Sequence, residues 1–369
     1  MEEIPFVINH VLTIKKTAME KPIKQCVGID VSKDELVVSY GVMDGNFDIR
    51  ILSNASFPNK QSGFTRLLKW SETLNASQGD IVYLLESTGV YHQQFALYLH
   101  DNGCKVVVVL PNKAKAFMKT LPVKTVNDKV SAQMLAQLGL EKKLDQWQPP
   151  APVYRELNQL TRERDQLMDE QTQIKNQLHA EQSGAWPNKQ SIKRMKSRLG
   201  LLAKQIDQIE NEIAELVKAQ PLLQQKIDTV CTIPGVGLIT AVTVIAETNG
   251  FNLIRNKKQL VSYAGLDIIT KDSGTSVRSK PRISHRGNKY LRKCLHFPAL
   301  TAIRHTHSMK TLFTRLVDKH GIKMKGAVAV QRKLLILIYI LWKKNEPFDN
   351  NYHLKIKEPR VIGALHELA

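Results

Sequence analysis

The stretch CVGIDVSKDELVVSYG, residues 26–41, decides how the chain begins to fold. Val27 and Ile29 alternate with small residues, and Asp30 stands where a buried strand would end. The polar turn Ser32-Lys33-Asp34 and the apolar run Leu36, Val37, Val38 complete a hairpin pattern. Gly28 leaves room for another backbone to approach. A carboxylate inside a hairpin core is costly unless something compensates it. Asp30 is therefore either a cap on the turn or a group held by a cation, a hydrogen-bonding cage or a metal.

Working outward, a third strand is expected near Phe47 to Ser53, and Asn59 is placed to cap a helix carrying Phe64, Leu67 and Leu68. IVYLLE, residues 81–86, reads as a strand that again ends on a carboxylate, Glu86. STGVYHQQFALYLHDNG follows as a helix stopped by Gly103. KVVVVL, residues 105–110, is the kind of strand found in a sheet covered on both faces, and Pro111 closes it. A further helix runs from about Asn127 to Leu138. Three strands followed by alternating helices and strands resemble the order of a ribonuclease H-like (RuvC-like) domain. That order would bring Asp30, Glu86 and Asp128 together. Three acids at the ends of different elements suit two Mg²⁺ ions that clamp the attacking and leaving oxygens of a phosphodiester. The competing reading makes Glu86 the cap of a helix beginning at Ser87 and Asp128 the cap of the next one.

Residues 154–219 change character. Leu157, Leu160, Leu167, Ile174 and Leu178 lie on a broken heptad seam. After SGAWPN, a second helix carries apolar residues from Ile192 through Leu202 and Ile209 to Leu216 in steps of three and four. Two such helices joined by a short turn predict an antiparallel coiled-coil hairpin. It serves either self-association, as a dimer or tetramer, or internal packing alone.

Net charge is +19, and residues 221–369 hold 25 Lys and Arg against 9 Asp and Glu. A basic carboxy-terminal part on a nearly balanced amino-terminal part points to a polyanion, first of all nucleic acid. Pro234-Gly235-Val236-Gly237 between apolar helices looks like a helix–hairpin–helix turn, with Gly235 and Gly237 opening backbone N–H groups to a phosphate. Downstream, Lys271, Arg278, Lys280, Arg282, Arg286, Lys289 and Arg292 form a dense cationic stretch suited to phosphate contacts. Ser273-Gly274 lies in its loop. A hydroxyl there is either a plain loop serine or a nucleophile toward phosphorus. Ser284 is a candidate cap for a helix starting near Asn288. The scattered cysteines Cys26, Cys104, Cys231 and Cys294 read as reduced thiols of a cytosolic protein. The amino terminus does not read as a signal peptide. Leu334 to Trp342 is too short to span a bilayer and reads as a core helix, so no membrane is expected.

GIDVSKDELVV, LLESTGVYH and KTVNDKVSAQMLA resemble the three acidic motifs of the DEDD-type transposases of bacterial insertion sequences. That family includes Piv-like DNA invertases and bridge-RNA-guided recombinases. IPGVGLITAVTVIAE, LVSYAGLD, SGTS and RISHRGNKYLRKCL resemble its carboxy-terminal transposase domain. The resemblance implies an α/β plus α chain. An arm (1–22) would precede a ribonuclease H-like domain (23–150), a coiled-coil hairpin (151–220), a mainly helical serine-bearing domain (221–345) and a tail (346–369). It implies Mg²⁺ at Asp30, Glu86 and Asp128, with a fourth acid three residues after Asp128, where Ser131 stands instead. It implies that Ser273 becomes joined to DNA during strand exchange, and that a bridge RNA pairs with both DNAs. The expected setting is the bacterial cytoplasm, at the nucleoid. Two other readings stand beside this one: a Holliday-junction-type metal nuclease using water, and a catalytically dead nucleic-acid binder.

Overall fold

The computed structural model describes residues 21–75, 78–87, 89–122, 125, 127–252, 254–270 and 282–350, with the backbone of 272–273 and 277–278. The expected arm and most of the expected tail lie outside these residues. The chain divides into two compact units that meet at Pro149 and Pro150.

In the first unit the strands are β1 (Lys24–Val31), β2 (Glu35–Met43), β3 (Ile49–Pro58), β4 (Ile81–Glu86) and β5 (Lys105–Val109). The helices are α1 (Gln61–Leu74), α2 (Gln93–Asp101), α3 (Pro111–Met118) and α4 (Asp128–Glu141). The sheet order is β3-β2-β1-β4-β5, with β1 antiparallel to β2 and parallel to β4. The opening hairpin thus forms as its alternation predicts, and the ends of β1 and β4 lie side by side. One face packs Val27, Ile29, Phe64, Phe95 and Leu99, and the other packs Cys26, Leu84, Leu135 and Leu138. The apolar β5 is an edge strand, partly shielded where the Trp147 N–H donates to the Val106 carbonyl over 2.8 Å.

Two local expectations change. Asn59 does not cap α1, whose cap position is Lys60 without a side-chain bond. The Asn59 amide instead donates to the carbonyls of Ser32 and Tyr91 at 2.8 and 3.2 Å, tying the β1–β2 turn to the segment after β4. The helix after β4 begins only at Gln93, because Gly89 at φ 64° bends the chain first.

In the second unit α5 (Pro152–Ser183) and α6 (Lys189–Lys218) form a hairpin around a five-residue turn. Leu202, Ile206, Ile209 and Ile213 are buried along α6, while Leu216 yields the last core position to Val217. The seam is therefore covered by α5 of the same chain over most of its length. The helices α7 (Pro221–Cys231), α8 (Leu238–Glu247) and α9 (Lys257–Tyr263) come next, followed by the short strands β6 (Ile268–Ile269), β7 (Asp272–Ser273), β8 (Val277–Arg278) and β9 (Arg282–Ile283). The unit closes with α10 (Lys289–Cys294), α11 (His296–His305), α12 (His307–His320) and α13 (Lys323–Lys344). Leu157 and Leu160 at the root of α5, with Ile213 and Val217 of α6, share one core with α8, α11 and α13. That shared core is why the hairpin and the carboxy-terminal helices form one unit rather than two. Leu334, Leu335, Ile338 and Trp342 are buried on α13, and no described helix is long and apolar enough to cross a membrane. All four cysteines are free thiols.

Candidate functional site

Asp30 stands one residue beyond the Ile29–Leu85 pair of the parallel β1–β4 ladder, which sets it level with Glu86. Asp128 opens α4, and α4 lies across β1 because Gly28 has no side chain. A β-carbon at position 28 would overlap the backbone nitrogen of Ala136 and the carbonyl of Ala132. This contact carries Asp128 and Ser131 to the end of β1. The capping readings fail for local reasons. Asn127, not Asp128, caps α4, accepting from the Val130 N–H at 2.9 Å. Glu86 is separated by several residues from the helix it was offered to.

Asp128 and Glu86 both act on Asp30. The Asp30 carboxyl is pushed up to about 6, first by burial, then by the charges of Asp128 and Glu86. The Val31 N–H and the Ser131 hydroxyl pull the Asp30 carboxyl the other way. Among the described residues, no three His, Cys, Asp or Glu side chains are gathered tightly enough to hold one metal ion. The acids thus form an open group of like charge. Hard oxygen donors that repel one another fit a divalent oxygen-seeking cation such as Mg²⁺, which would draw them together.

The sites expected in the second unit separate into several kinds. Ser273 is the last residue of β7 and pairs with Val277 of β8, the pair next to residues 274–276, which lie outside the described residues. Lys271 and Lys280 lie outside them as well, and Arg278 is described by its backbone alone. Arg282, Arg286 and Lys289 are exposed. Arg292 has a structural task that the sequence did not reveal. Its Nη1 donates to the carbonyls of Ala264, Gly287 and Asn288 at 2.9, 3.1 and 3.2 Å. Lys293 likewise pairs with Asp165 and Asp169, each at 2.6 Å. The cationic stretch is therefore partly compensated. Ser284 donates to Asp267 at 2.6 Å, and Asn288 caps α10 instead.

The two glycines of the PGVG turn also differ. Gly235 has φ 91°, and a β-carbon there would come within 2.7 Å of the Pro298 carbonyl, so packing against α11 already requires it. Gly237, the N-cap position of α8, faces open space. Sequence reading missed the buried Glu247. It receives Arg162 at 2.7 and 3.0 Å and the Asn288 amide, joining α5, α8 and the start of α10. Only the apolar surroundings of Glu247 in TAVTVIAET hinted at this. The three helices border a cavity of about 290 Å³ lined by Arg162, Asp165, Thr240, Thr243, Lys293 and Phe297 among others.

Residues 27–187 match the "Transposase" family model DEDD_Tnp_IS110, and residues 227–314 match "Transposase IS116/IS110/IS902 family". The pilin gene-inverting protein of Moraxella bovis is 26% identical over 334 residues, covering 89% of this chain and 99% of that protein. The Moraxella lacunata counterpart is 26% identical with the same coverage. The transposase for insertion sequence element IS1111A of Coxiella burnetii is 23% identical, covering 67% of this chain and 73% of that protein. Among solved structures, Thermus thermophilus RuvC is 14% identical with a TM-score of 0.24, covering 30% of this chain and 90% of that one.

Proposed function

This chain belongs to the IS110-type insertion-sequence transposases, and from that premise we propose that it exchanges DNA strands through a phosphoserine link. The observation that carries the proposal is the placement of Asp30, Glu86 and Asp128 at the ends of β1, β4 and α4, close enough that the latter two raise the Asp30 carboxyl. In this reading the three acids hold Mg²⁺, two ions in the fully loaded site, and Ser131 occupies the fourth position. Bound there, the metal would neutralise charge building on the phosphate. Ser273 Oγ attacks phosphorus, a new O–P bond forms, and the oxygen of the broken strand leaves with a proton. Reversal with a second strand as attacker restores a phosphodiester and frees the serine. Arg278, Arg282 and Arg286 favour the phosphate's developing charge. A guiding bridge RNA and a multimeric assembly complete the proposal, both carried over from the family resemblance.

Ser131 favours a second reading, in which a neutral hydroxyl where an acid is expected leaves a binder without turnover. The test is to incubate the chain with element-end DNA and Mg²⁺, denature it, and look for a protein–DNA adduct. The parent should give an adduct and Ser273→Ala should give none. Strand cleavage without adduct would favour water as nucleophile. Binding with neither cleavage nor adduct would favour the inactive binder. An adduct persisting in Ser273→Ala would overturn the serine assignment.

A further inference from the structure

The hairpin of α12 and α13 carries a large excess of positive charge. Between His296 and Lys344 the sequence holds ten Lys and Arg against the single carboxylate of Asp318. Arg315, Lys319, Lys323 and Lys325 are all exposed around the turn at Gly321. None of the four makes an ion pair among the described residues. Most of the two helices lie beyond residue 314, where the family match ends.

The placement of these charges works against the stability of the isolated chain. The first turn of α13 contains Lys323 and Lys325 and no acid, although the positive end of a helix dipole disfavours cations. Across the hairpin, Lys333 has its ammonium held below the usual lysine range by burial and by the Arg315 guanidinium. Thr314 is exposed on α12 beside Arg315 and adds a hydroxyl that can donate to a phosphate. Such a set is stabilised when a polyanion releases its counter-ions onto it. No Phe, Tyr or Trp is exposed on either helix, so the face lacks the large rings that best stack unpaired bases.

We propose that the α12–α13 face, centred on Arg315, Lys319, Lys323 and Lys325, grips the phosphate backbone of duplex DNA. This surface is separate from the Ser273 hairpin and its neighbouring arginines in sequence. It holds DNA without reading bases, so it fixes how the duplex lies while chemistry proceeds elsewhere. The inference rests on the reading that this chain acts on DNA.

The test has two parts, both on the full chain. The first compares the parent with the triple variant Arg315→Gln, Lys319→Gln, Lys325→Gln by fluorescence anisotropy on a short duplex of arbitrary sequence across a salt series. Glutamine retains helix propensity at these exposed positions. Affinity at low salt should fall at least tenfold, and the slope of log affinity against log salt should shrink by about 0.9 per lost contact. The second part needs no substitution: lysine acetylation of the parent, mapped by mass spectrometry, with saturating duplex or single-stranded RNA. Lys319, Lys323 and Lys325 should be protected by the duplex. Unchanged affinity and slope, unchanged reactivity with duplex bound, or protection by single-stranded RNA alone would overturn the proposal. Loss of adduct formation with these binding results intact would sink the strand-exchange reading and leave this surface standing.

Discussion

The Ser131 hydroxyl stands beside the Asp30 carboxyl and draws it downward against burial, linking the first turn of α4 to the end of β1. A serine hydroxyl favours the ionised form of its neighbour without adding charge. Ser131→Ala should therefore move the Asp30 carboxyl further up, read as a later carboxyl carbon shift in an NMR titration. Ser131→Asp adds a hard anionic donor at the same place. It should lower the Mg²⁺ concentration needed for half-maximal binding or activity. An unchanged Mg²⁺ dependence would remove position 131 from the metal site.

A second prediction concerns pH. The Asp30 carboxyl lies at about 6 in the folded chain, against about 4 when unfolded. The folded state thus holds the extra proton between these values, and stability declines as pH rises through that window. Asp30→Asn cannot ionise. It should gain urea-midpoint stability over the parent above about pH 6 and lose that advantage below about pH 4. Mg²⁺ should stabilise the parent and not the variant.

These residues also mark what the sequence could tell. Asp30 and Glu86 were legible because period-two alternation fixes where a strand ends. Asp128 was picked out by the order of strands and helices and by the resemblance of KTVNDKVSAQMLA to an acidic motif, whereas the capping role of Asn127 came only from the structure. Asn59, Arg292 and Glu247 were not, since each acts through partners 27 to 85 residues away or through backbone carbonyls. Charge density alone placed Arg292 among the nucleic-acid contacts, and only geometry shows it serving the fold. The α6 seam was legible as a pattern, but heptads alone do not say whether the covering helix belongs to the same chain.

The Arg162–Glu247 pair predicts an asymmetry. The Glu247 side chain is 1% exposed and that of Arg162 is 46%. Arg162→Met leaves a buried carboxylate with little compensation and should cost about 2–3 kcal/mol, below the usual loss for a fully buried pair. Glu247→Gln leaves a cation that can turn to water and should cost less. Urea unfolding of both variants checks the order.

For the hairpin, Leu202→Asp with Ile209→Asp places two carboxylates in a seam that α5 covers. Helicity by circular dichroism and the unfolding midpoint should both fall. A drop in solution mass without loss of helicity would show that the seam belongs to an interface between chains.

Gly28 offers a different kind of prediction. Gly28→Ala sets a methyl group against the main chain of α4, with no flexible side chain to yield. A cost of about 3 kcal/mol is expected, together with weaker Mg²⁺ binding, since the helix must lift and take Asp128 with it.

The contact at Gly28 is main chain on main chain, and this bears on how such a site endures through descent. Where a helix rests on side chains, each exchange of a core residue shifts it a little, and the shifts accumulate over many generations. Where it rests on a bare backbone, Val27, Ile29 or Leu135 can be traded for other shapes while the spacing of the carboxylates stays put. A lineage built this way can change most of its residues, provided position 28 keeps no side chain at all.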